Sequence, residues 1–373
     1  MSGALVQLVA KGAQDAYLTG RPEVSFFHQA YKRHTNFAQK QVQLTYTGTP
    51  GSSSQLSIKV PNKGDLLGYI WMDLGTSTIG TLVTGTPTIF ELYIGGQLID
   101  RQDAFFMVQF WQKFLVDSSA KGYSLLGGAQ VDQDSSTKNV VNPITNLQNS
   151  TWLPLHFFFC DSCYLPLTAL QYHEVEIRVT FGTSAPAKAD FYANYVVLDT
   201  DERAMLVDKE IDLLIEQVQR IPAISASKFD LSYFNHPIKC LLWGNPSTSS
   251  AFETKNVQIY LNGNELFGSE LPDVFFTSVS SYYHSEFASI LQGGINTGTA
   301  PVIQKSGGNL KMYSFALKAN KHQPCGTCNF SRLDSASLTV GTGSADLTNF
   351  NMYAVNFNVL RIKSGMGGLA FSS

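Results

Sequence analysis

What most constrains this chain is an internal repeat. Four landmarks occur twice and in the same order. Leu56-Ser57 and Leu66-Leu67 return as Leu231-Ser232 and Leu241-Leu242, 175 residues on. Tyr93-Ile94-Gly95-Gly96 returns as Tyr260-Leu261-Asn262-Gly263 after 167 residues, and Cys160-x-x-Cys163 as Cys325-x-x-Cys328 after 165. Asn194-Tyr195-Val196-Val197-Leu198 returns as Asn356-Phe357-Asn358-Val359-Leu360 after 162. A slowly drifting offset is what loop insertions and deletions leave behind. A period far longer than a solenoid repeat describes one domain present twice. The expected division is 1–205, an N-terminal arm and first copy, and 206–373, a second copy with a C-terminal tail.

Each copy reads as antiparallel β. Tyr93-Ile94 and Leu98-Ile99 flank Gly95-Gly96-Gln97, and Tyr260-Leu261 and Leu266-Phe267 flank Asn262-Gly263; both dipeptides suit a type I′ hairpin turn. His173, Val175, Ile177, Val179 and Phe181 alternate with Tyr172, Glu174, Glu176, Arg178 and Thr180, a period of two. Tyr192–Leu198 and Tyr353–Ile362 have similar strand composition. Two stretches read as helices. Asp103–Leu115 places Phe106, Phe110 and Phe114 at i, i+4 and i+8. Thr200–Lys209, with a cap at Thr200, sits before strand-like Ile211–Val218 and joins the copies. Short strands with Gly- and Ser-rich turns favour sandwiches or jelly rolls over a βαβ sheet.

Composition narrows the function. Charged residues are 15% of the 373, against the usual ~25%, so more surface is hidden than one monomer hides; an oligomer is expected. Aromatics at 12% suit β-rich cores. The net charge is −3 and the densest basic cluster is only Lys32-Arg33-His34, which excludes nucleic-acid binding driven by bulk charge. Met1-Ser2-Gly3-Ala4-Leu5 has no basic n-region, so no secretory signal is expected. The apolar run Trp152–Cys160 is broken by Pro154 and His156 and is too short to span a membrane. Five cysteines are then expected as reduced thiols in an intracellular setting.

The search for chemistry yields no catalytic, cofactor-binding or metal residue. Gly365-Met366-Gly367-Gly368 follows a strand, but a dinucleotide loop needs a helix next and the chain stops at Ser373; it reads as a mobile tail. The two Cys-x-x-Cys pairs fall at equivalent points of separate copies, so they read as strand-end thiols rather than one zinc site. His173 is expected to be partly buried and to face a core. His28 and His34 have no carboxylate at strand or helix spacing. No Gly-x-Ser-x-Gly, P-loop or His-Glu-x-x-His occurs. Asn149-Ser150-Thr151 and Asn329-Phe330-Ser331 are sequons expected to stay unmodified.

Five segments together resemble the major capsid proteins of nucleocytoplasmic large DNA viruses, nearest the phycodnavirus and mimivirus branch. They are Gly12–Gly20 continuing through Phe26-Phe27 to His34-Thr35-Asn36-Phe37; Trp152–Leu155 through Leu170–Val175; Leu198-Asp199-Thr200-Asp201-Glu202-Arg203; His322-Gln323-Pro324 to Cys328-Asn329-Phe330-Ser331-Arg332; and Tyr353–Asn356 to Ser364–Ala370. The resemblance implies an all-β chain of two tandem eight-stranded antiparallel jelly rolls, with short helices in loops and at the junction. It also implies a homotrimer of pseudo-hexagonal outline that tiles an icosahedral shell around an internal membrane. Expected partners are the chain's own copies, neighbouring capsomers, and minor capsid and penton proteins, with no direct nucleic acid and no cofactor. The expected location is the virion shell, assembled in the host cytoplasm.

The chain is shorter than typical members, which implies trimmed outward loops. The helix Asp103–Leu115 is expected to supply threefold contacts, and Ala4–Val9 either to touch minor capsid proteins or neighbouring capsomers or to fold as a strand or helix against its own first domain. The alternatives are a minor capsid component of the same fold and a carbohydrate-binding jelly roll. The latter needs exposed aromatic platforms, whereas the four Trp mostly sit in apolar strand or helix patterns. An enzyme on the same scaffold lacks a paired carboxylate or metal constellation.

Overall fold

The structure is a computed structural model; it describes residues 3–27, 31–117, 121, 150–161, 163–224, 228–244, 256–285, 310–341 and 350–371. Met1–Asn36 and Phe37–Ser373 are separate units. The first carries short helices at Gly3–Val9 and Ala16–Thr19, with a 3-10 turn at Ala13–Asp15 between them. Asp15 holds that turn by accepting from the Gly12 N–H at 2.7 Å. Its apolar side chains, from Leu5 and Leu8 to Phe26 and Phe27, are exposed.

The second unit begins with ten strands: β1 (Phe37–Leu44), β2 (Tyr46–Thr47), β3 (Gln55–Lys59), β4 (Leu66–Asp73), β5 (Ile89–Ile94), β6 (Gln97–Asp103), β7 (Trp152–Pro154), β8 (Leu165–Pro166), β9 (Val175–Thr180) and β10 (Asp190–Leu198). They form two antiparallel sheets, β1-β10-β4-β7 with β8 also on β4, and β2-β3-β9-β5-β6. The chain then makes the helix Thr200–Asp208 and ten more strands: β11 (Ile211–Ile224), β12 (Lys228–Asp230), β13 (Pro237–Gly244), β14 (Val257–Leu261), β15 (Asn264–Glu265), β16 (Leu310–Ser314), β17 (Cys328–Asn329), β18 (Ala336–Val340), β19 (Phe350–Lys363) and β20 (Met366–Leu369). These form β11-β19-β13-β16, with β17 on β13 and β20 on β19, and β12-β18-β14-β15.

Counting the split sixth strand once (β7/β8 and β16/β17) and setting aside the added strands β2, paired with β3, and β20, paired with β19, both halves give the sheet orders 1-8-3-6 and 2-7-4-5, the double Greek key of a jelly roll. The duplication read from the sequence is thus present in the topology. Each repeated landmark lies at the same strand in its own half: β3 and the end of β12, β4 and β13, the β5–β6 and β14–β15 turns, the split sixth strand, and β10 and β19. A fifth match escapes notice in sequence because it is short. Asp103-Ala104-Phe105-Phe106 and Asp273-Val274-Phe275-Phe276 each open a π-helical segment after the fifth strand, at Phe106–Leu115 and Phe275–Val279.

Local chemistry explains the turns. Gly95 and Gly96 take φ of +58° and +80°, and Asn262 and Gly263 +50° and +78°, as type I′ turns require. A side chain at Gly95 is excluded on a second count, because a Cβ there would fall 2.3 Å from His173 Nδ1. Along β9, Val175, Ile177 and Val179 are buried while the residues between them are half-exposed, so the period of two holds. The interdomain helix is capped by the residue before the expected one. Asp199 Oδ1 accepts from the Thr200 N–H at 2.7 Å, since a carboxylate one position earlier reaches the free amides.

Two expectations fail. Gly365–Gly368 is not a mobile tail. Ser364 and Gly365, at φ +51° and +80°, turn the chain into β20, which pairs with β19 from Lys363↔Met366 to Leu360↔Leu369. His173 is partly buried as expected, but instead of pointing into a core its Nδ1 meets the Gly367 backbone at 2.9 Å. A strand invisible in the tail's glycine-rich composition gives that imidazole its partner.

The core has two parts. Phe229, Leu241, Trp243, Ile259 and Leu338 fill the second jelly roll. A larger cluster fills the first and runs on through Ile215, Leu242, Met312, Tyr353 and Val355 of the second. Alternate residues of β13 therefore face opposite ways, Leu241 and Trp243 into their own domain and Cys240 and Leu242 toward the other. Covered on both faces, β13 reads as an unbroken apolar run.

Candidate assembly surfaces

The contact between the jelly rolls is the best-defined interface of the molecule. The first contributes β6 and the segment Phe106–Leu115, in which Phe106, Met107, Val108, Phe110, Phe114 and Leu115 are buried. Against them lies the β11-β19-β13-β16 sheet of the second. The Phe106 and Phe110 rings sit 5.4 and 5.2 Å from the Tyr353 ring, centroid to centroid. That segment was expected at the threefold axis; its apolar stripe is instead used up inside one chain.

Polar groups fix the register of this contact. Asp103 Oδ2 accepts from Tyr353 Oη at 2.7 Å and lies 3.0 Å from Arg220 Nη1, while Oδ1 accepts from the Phe106 N–H at 2.8 Å. Burial raises the pKa of Asp103; the guanidinium, the phenol and the amide oppose it. Asp100 Oδ1 accepts from the Val218 and Arg101 N–H groups at 3.0 and 2.9 Å, and Oδ2 from Gln102 Nε2 at 2.7 Å. Full burial, with a smaller push from Glu216, still lifts Asp100 to about 7. Gln217 donates to the Ile99 carbonyl. Lys239 Nζ meets Glu216 Oε1 at 2.5 Å and His322 Nδ1 lies 3.5 Å from the same oxygen, and the lysine is what chiefly opposes burial in holding Glu216 below its ordinary pKa.

Among the described residues, the faces that correspond to these by the repeat carry exposed or partly exposed aromatic side chains. On the first jelly roll, the outer face of β1-β10-β4-β7 carries Trp71 stacked on Tyr192 at 4.5 Å, and Tyr69, whose Oη accepts from Gln41 Nε2 at 2.5 Å. Tyr164 lies over Gly68 of the same sheet. On the second, the helix Ser280–His284 exposes Tyr282 by 70% and Tyr283 by 65%, and His284 Nδ1 meets the carbonyl of Leu317, itself 72% exposed.

The remaining candidates have structural roles. Cys160 lies in the short helix Phe158–Asp161 and Cys163 Sγ meets the Phe158 carbonyl at 3.4 Å; Cys325 Sγ meets Lys318 and Cys328 starts β17. All five cysteines are free thiols, and burial lifts Cys163 to about 11 and Cys240 to about 12, away from thiolate chemistry. No cluster of three His, Cys, Asp or Glu close enough to hold a metal occurs among the described residues. His34 is exposed beside the Thr35 carbonyl; His28 and Asn149 lie outside the described residues. Asn329 caps the turn Phe330–Arg332 by accepting from the Ser331 N–H at 3.1 Å. Trp243 is core, but Trp71, Trp111 and Trp152 line one cleft of about 290 Å³. Among the described residues, no helix is long and apolar enough to cross a membrane.

Comparison with known proteins agrees with this architecture. Residues 25–199 match the family model described as the major capsid protein N-terminus, and 245–368 the one described as large eukaryotic DNA virus major capsid protein. The major capsid protein of Pyramimonas orientalis virus is 36% identical over the full length of both chains, and that of Paramecium bursaria Chlorella virus 1 is 31% identical, also over the full length of both. A quasi-atomic model of the PBCV-1 virus capsid superposes with a TM-score of 0.71 at 27% identity, covering 94% of this chain and all of the other. The Faustovirus major capsid protein shares the fold at 11% identity, with a TM-score of 0.62 and 96% of each chain covered. Two tandem jelly rolls of matching topology, locked by one internal interface and matched from end to end, place the chain in a definite family: it belongs to the major capsid proteins of large eukaryotic DNA viruses, the structural proteins of their capsids.

Proposed function

We propose that three copies of this chain close into a homotrimer of pseudo-hexagonal outline, and that such trimers tile an icosahedral shell. One observation carries the reading. Inside the chain, the β11-β19-β13-β16 sheet sits on β6 and Phe106–Leu115, whereas the matching sheet of the first jelly roll, and the helix after the matching strand of the second, expose aromatic side chains. Repeating the internal contact between chains covers both faces. It is a head-to-tail contact, and three chains of two modules each close it into a ring. The working division is 1–205 and 206–373. The full-length match to major capsid proteins favours the main shell role over a minor component of the same fold.

Replacing both Tyr282 and Tyr283 by Glu is expected to convert a trimer to a monomer in analytical ultracentrifugation, with the melting of the chain unchanged. A mass still equal to three chains would show that this face is not the contact; a monomeric unmodified protein would sink the trimer itself.

The chain acts through contact rather than catalysis. Its further partners are neighbouring capsomers and minor capsid and penton proteins, on an inner side near an internal membrane, with assembly in the host cytoplasm. A net charge of −3 supports a shell that does not grip nucleic acid. The exposed Leu5, Leu8, Val9, Phe26 and Phe27 suit the arm to contacts outside its own chain. Deleting residues 2–20 is expected to leave trimers intact and to abolish shell formation, read by sedimentation and electron microscopy. Loss of the trimer would refute a peripheral arm.

A further inference from the structure

The unit Met1–Asn36 has no core of its own. None of its described residues is buried, and its large apolar side chains stand exposed, from Leu5 at 50% to Tyr17 at 93% and Phe27 at 95%. Its helix Gly3–Val9 has seven residues, with no acidic residue in its first turn and no basic one in its last. Isolated helices shorter than about 12–15 residues are marginal in water, and helices in proteins are held by the packing of an apolar face. No described side chain of the arm is packed in that way, so the cover lies outside the chain.

Two features select that cover. At ~3.6 residues per turn, Leu5, Val6, Leu8 and Val9 fall within an arc of about 160°, with Gln7 opposite. The exposed apolar side chains do not stop at that face: Tyr17, Leu18, Val24, Phe26 and Phe27 continue them over the rest of the arm. A protein groove takes the apolar face of one element, whereas a bilayer interface accepts apolar and aromatic side chains wherever the chain presents them. The second feature is charge. Residues 1–36 carry the basic Lys11, Arg21, Lys32 and Arg33 against the acidic Asp15 and Glu23, a net +2. The chain as a whole is at −3, which leaves −5 for residues 37–373. Apolar and aromatic side chains beside Lys and Arg are the composition of an interfacial anchor for anionic lipid.

We propose, resting on the assignment of the arm to contacts outside its own chain, that it lies in the headgroup layer of a bilayer containing anionic lipids. Its apolar side chains enter the acyl boundary and its Lys and Arg side chains meet the lipid phosphates. The net −5 of the remaining residues disfavours contact of the jelly rolls with the same surface, so the arm is the part that touches lipid. Each arm is a weak, reversible anchor, because its helix has only seven residues and its net charge is only +2. Three arms on one trimer bind more tightly than one by avidity.

The test is flotation of the full-length protein with unilamellar vesicles of phosphatidylcholine, alone or with about 30% phosphatidylserine. Binding to the anionic vesicles is expected to exceed that to the neutral ones about tenfold, and to fall about tenfold as NaCl rises from roughly 0.05 to 0.5 M, because salt screens the basic residues. Leu5→Asp with Leu8→Asp, and separately Phe26→Ser with Phe27→Ser, are each expected to lower binding about tenfold or more at low salt. The melting of the chain is expected to stay unchanged, because none of the four side chains is buried. The second pair lies outside the helix Gly3–Val9, so a folding defect in the first variant leaves the test standing. Sedimentation velocity of the same samples separates lipid binding from oligomeric state. A monomer that binds through its arm supports the proposal, and a trimer that ignores anionic vesicles overturns it. Equal binding to neutral vesicles overturns it too, as does unchanged binding by both folded variants.

Discussion

Asp103→Ala is expected to lower the stability of the chain by about 3–5 kcal/mol, the range for removing one partner of a buried ion pair. The carboxylate is 2% exposed and serves three donors at once: Arg220, the Tyr353 hydroxyl and the Phe106 amide. Truncation leaves a half-buried guanidinium without a counter-charge, its remaining bond being to Asn351 Oδ1 at 3.1 Å, leaves a buried phenol without its acceptor at the joint between the jelly rolls, and removes the acceptor of the Phe106 N–H at the start of Phe106–Leu115. Urea unfolding of the purified protein measures the loss. Tyr353→Phe, which removes one donor but keeps the ring against Phe110, is expected to cost about 1–2 kcal/mol. Equal costs for the two would mean that ring packing, and not the carboxylate, holds the joint.

Asp100 is expected to make the same joint weaken as the medium becomes alkaline. Its carboxyl titrates at about 7 when folded, against an ordinary 3.8. Between those values the folded chain binds a proton that the unfolded chain has released, so stability falls as pH rises from about 4 through 7. Roughly three pKa units correspond to about 4 kcal/mol. Below the ordinary value the contribution is fully present, and above about 7 it is lost. Other carboxylates, Glu216 and Asp161 among them, are held below their ordinary values and act in the opposite sense at lower pH. The measurement is therefore a difference: the gap between Asp100→Asn and the unmodified protein, followed by denaturation at pH 4, 6 and 8, is expected to grow in favour of the variant by about 4 kcal/mol. A gap that does not change with pH would place the Asp100 proton elsewhere.

Much of the fold was legible because strands and turns are local. Gly95-Gly96 and Asn262-Gly263 specify type I′ turns by backbone sterics alone, and Val175, Ile177 and Val179 announce a half-buried strand by alternation. The duplication was legible because its landmarks recur at turns and strand ends, where the chain has few alternatives. The β20 strand was not, since Met366-Gly367-Gly368-Leu369 has no strand propensity of its own; it is ordered by pairing with β19 and by Gln97 and His173, contributed from far away in sequence.

The assembly surfaces divide along the same line. The stripe Phe106, Phe110 and Phe114 declares that something apolar covers it, but a periodicity carries no name for its partner. The match between Asp103-Ala104-Phe105-Phe106 and Asp273-Val274-Phe275-Phe276 was present in the sequence as a signal, yet too short to stand out before the topology aligned the two segments.

By itself the sequence determined an all-β chain, doubled, with its hairpins in place and its apolar faces assigned to strands, because backbone sterics and burial periodicity act over a few neighbouring residues. Only the tertiary structure decided which faces meet. Asp103 of the first jelly roll finds Arg220 and Tyr353 of the second because sheet order brings them together, and desolvation at that joint, not any local pattern, moves the Asp100 proton.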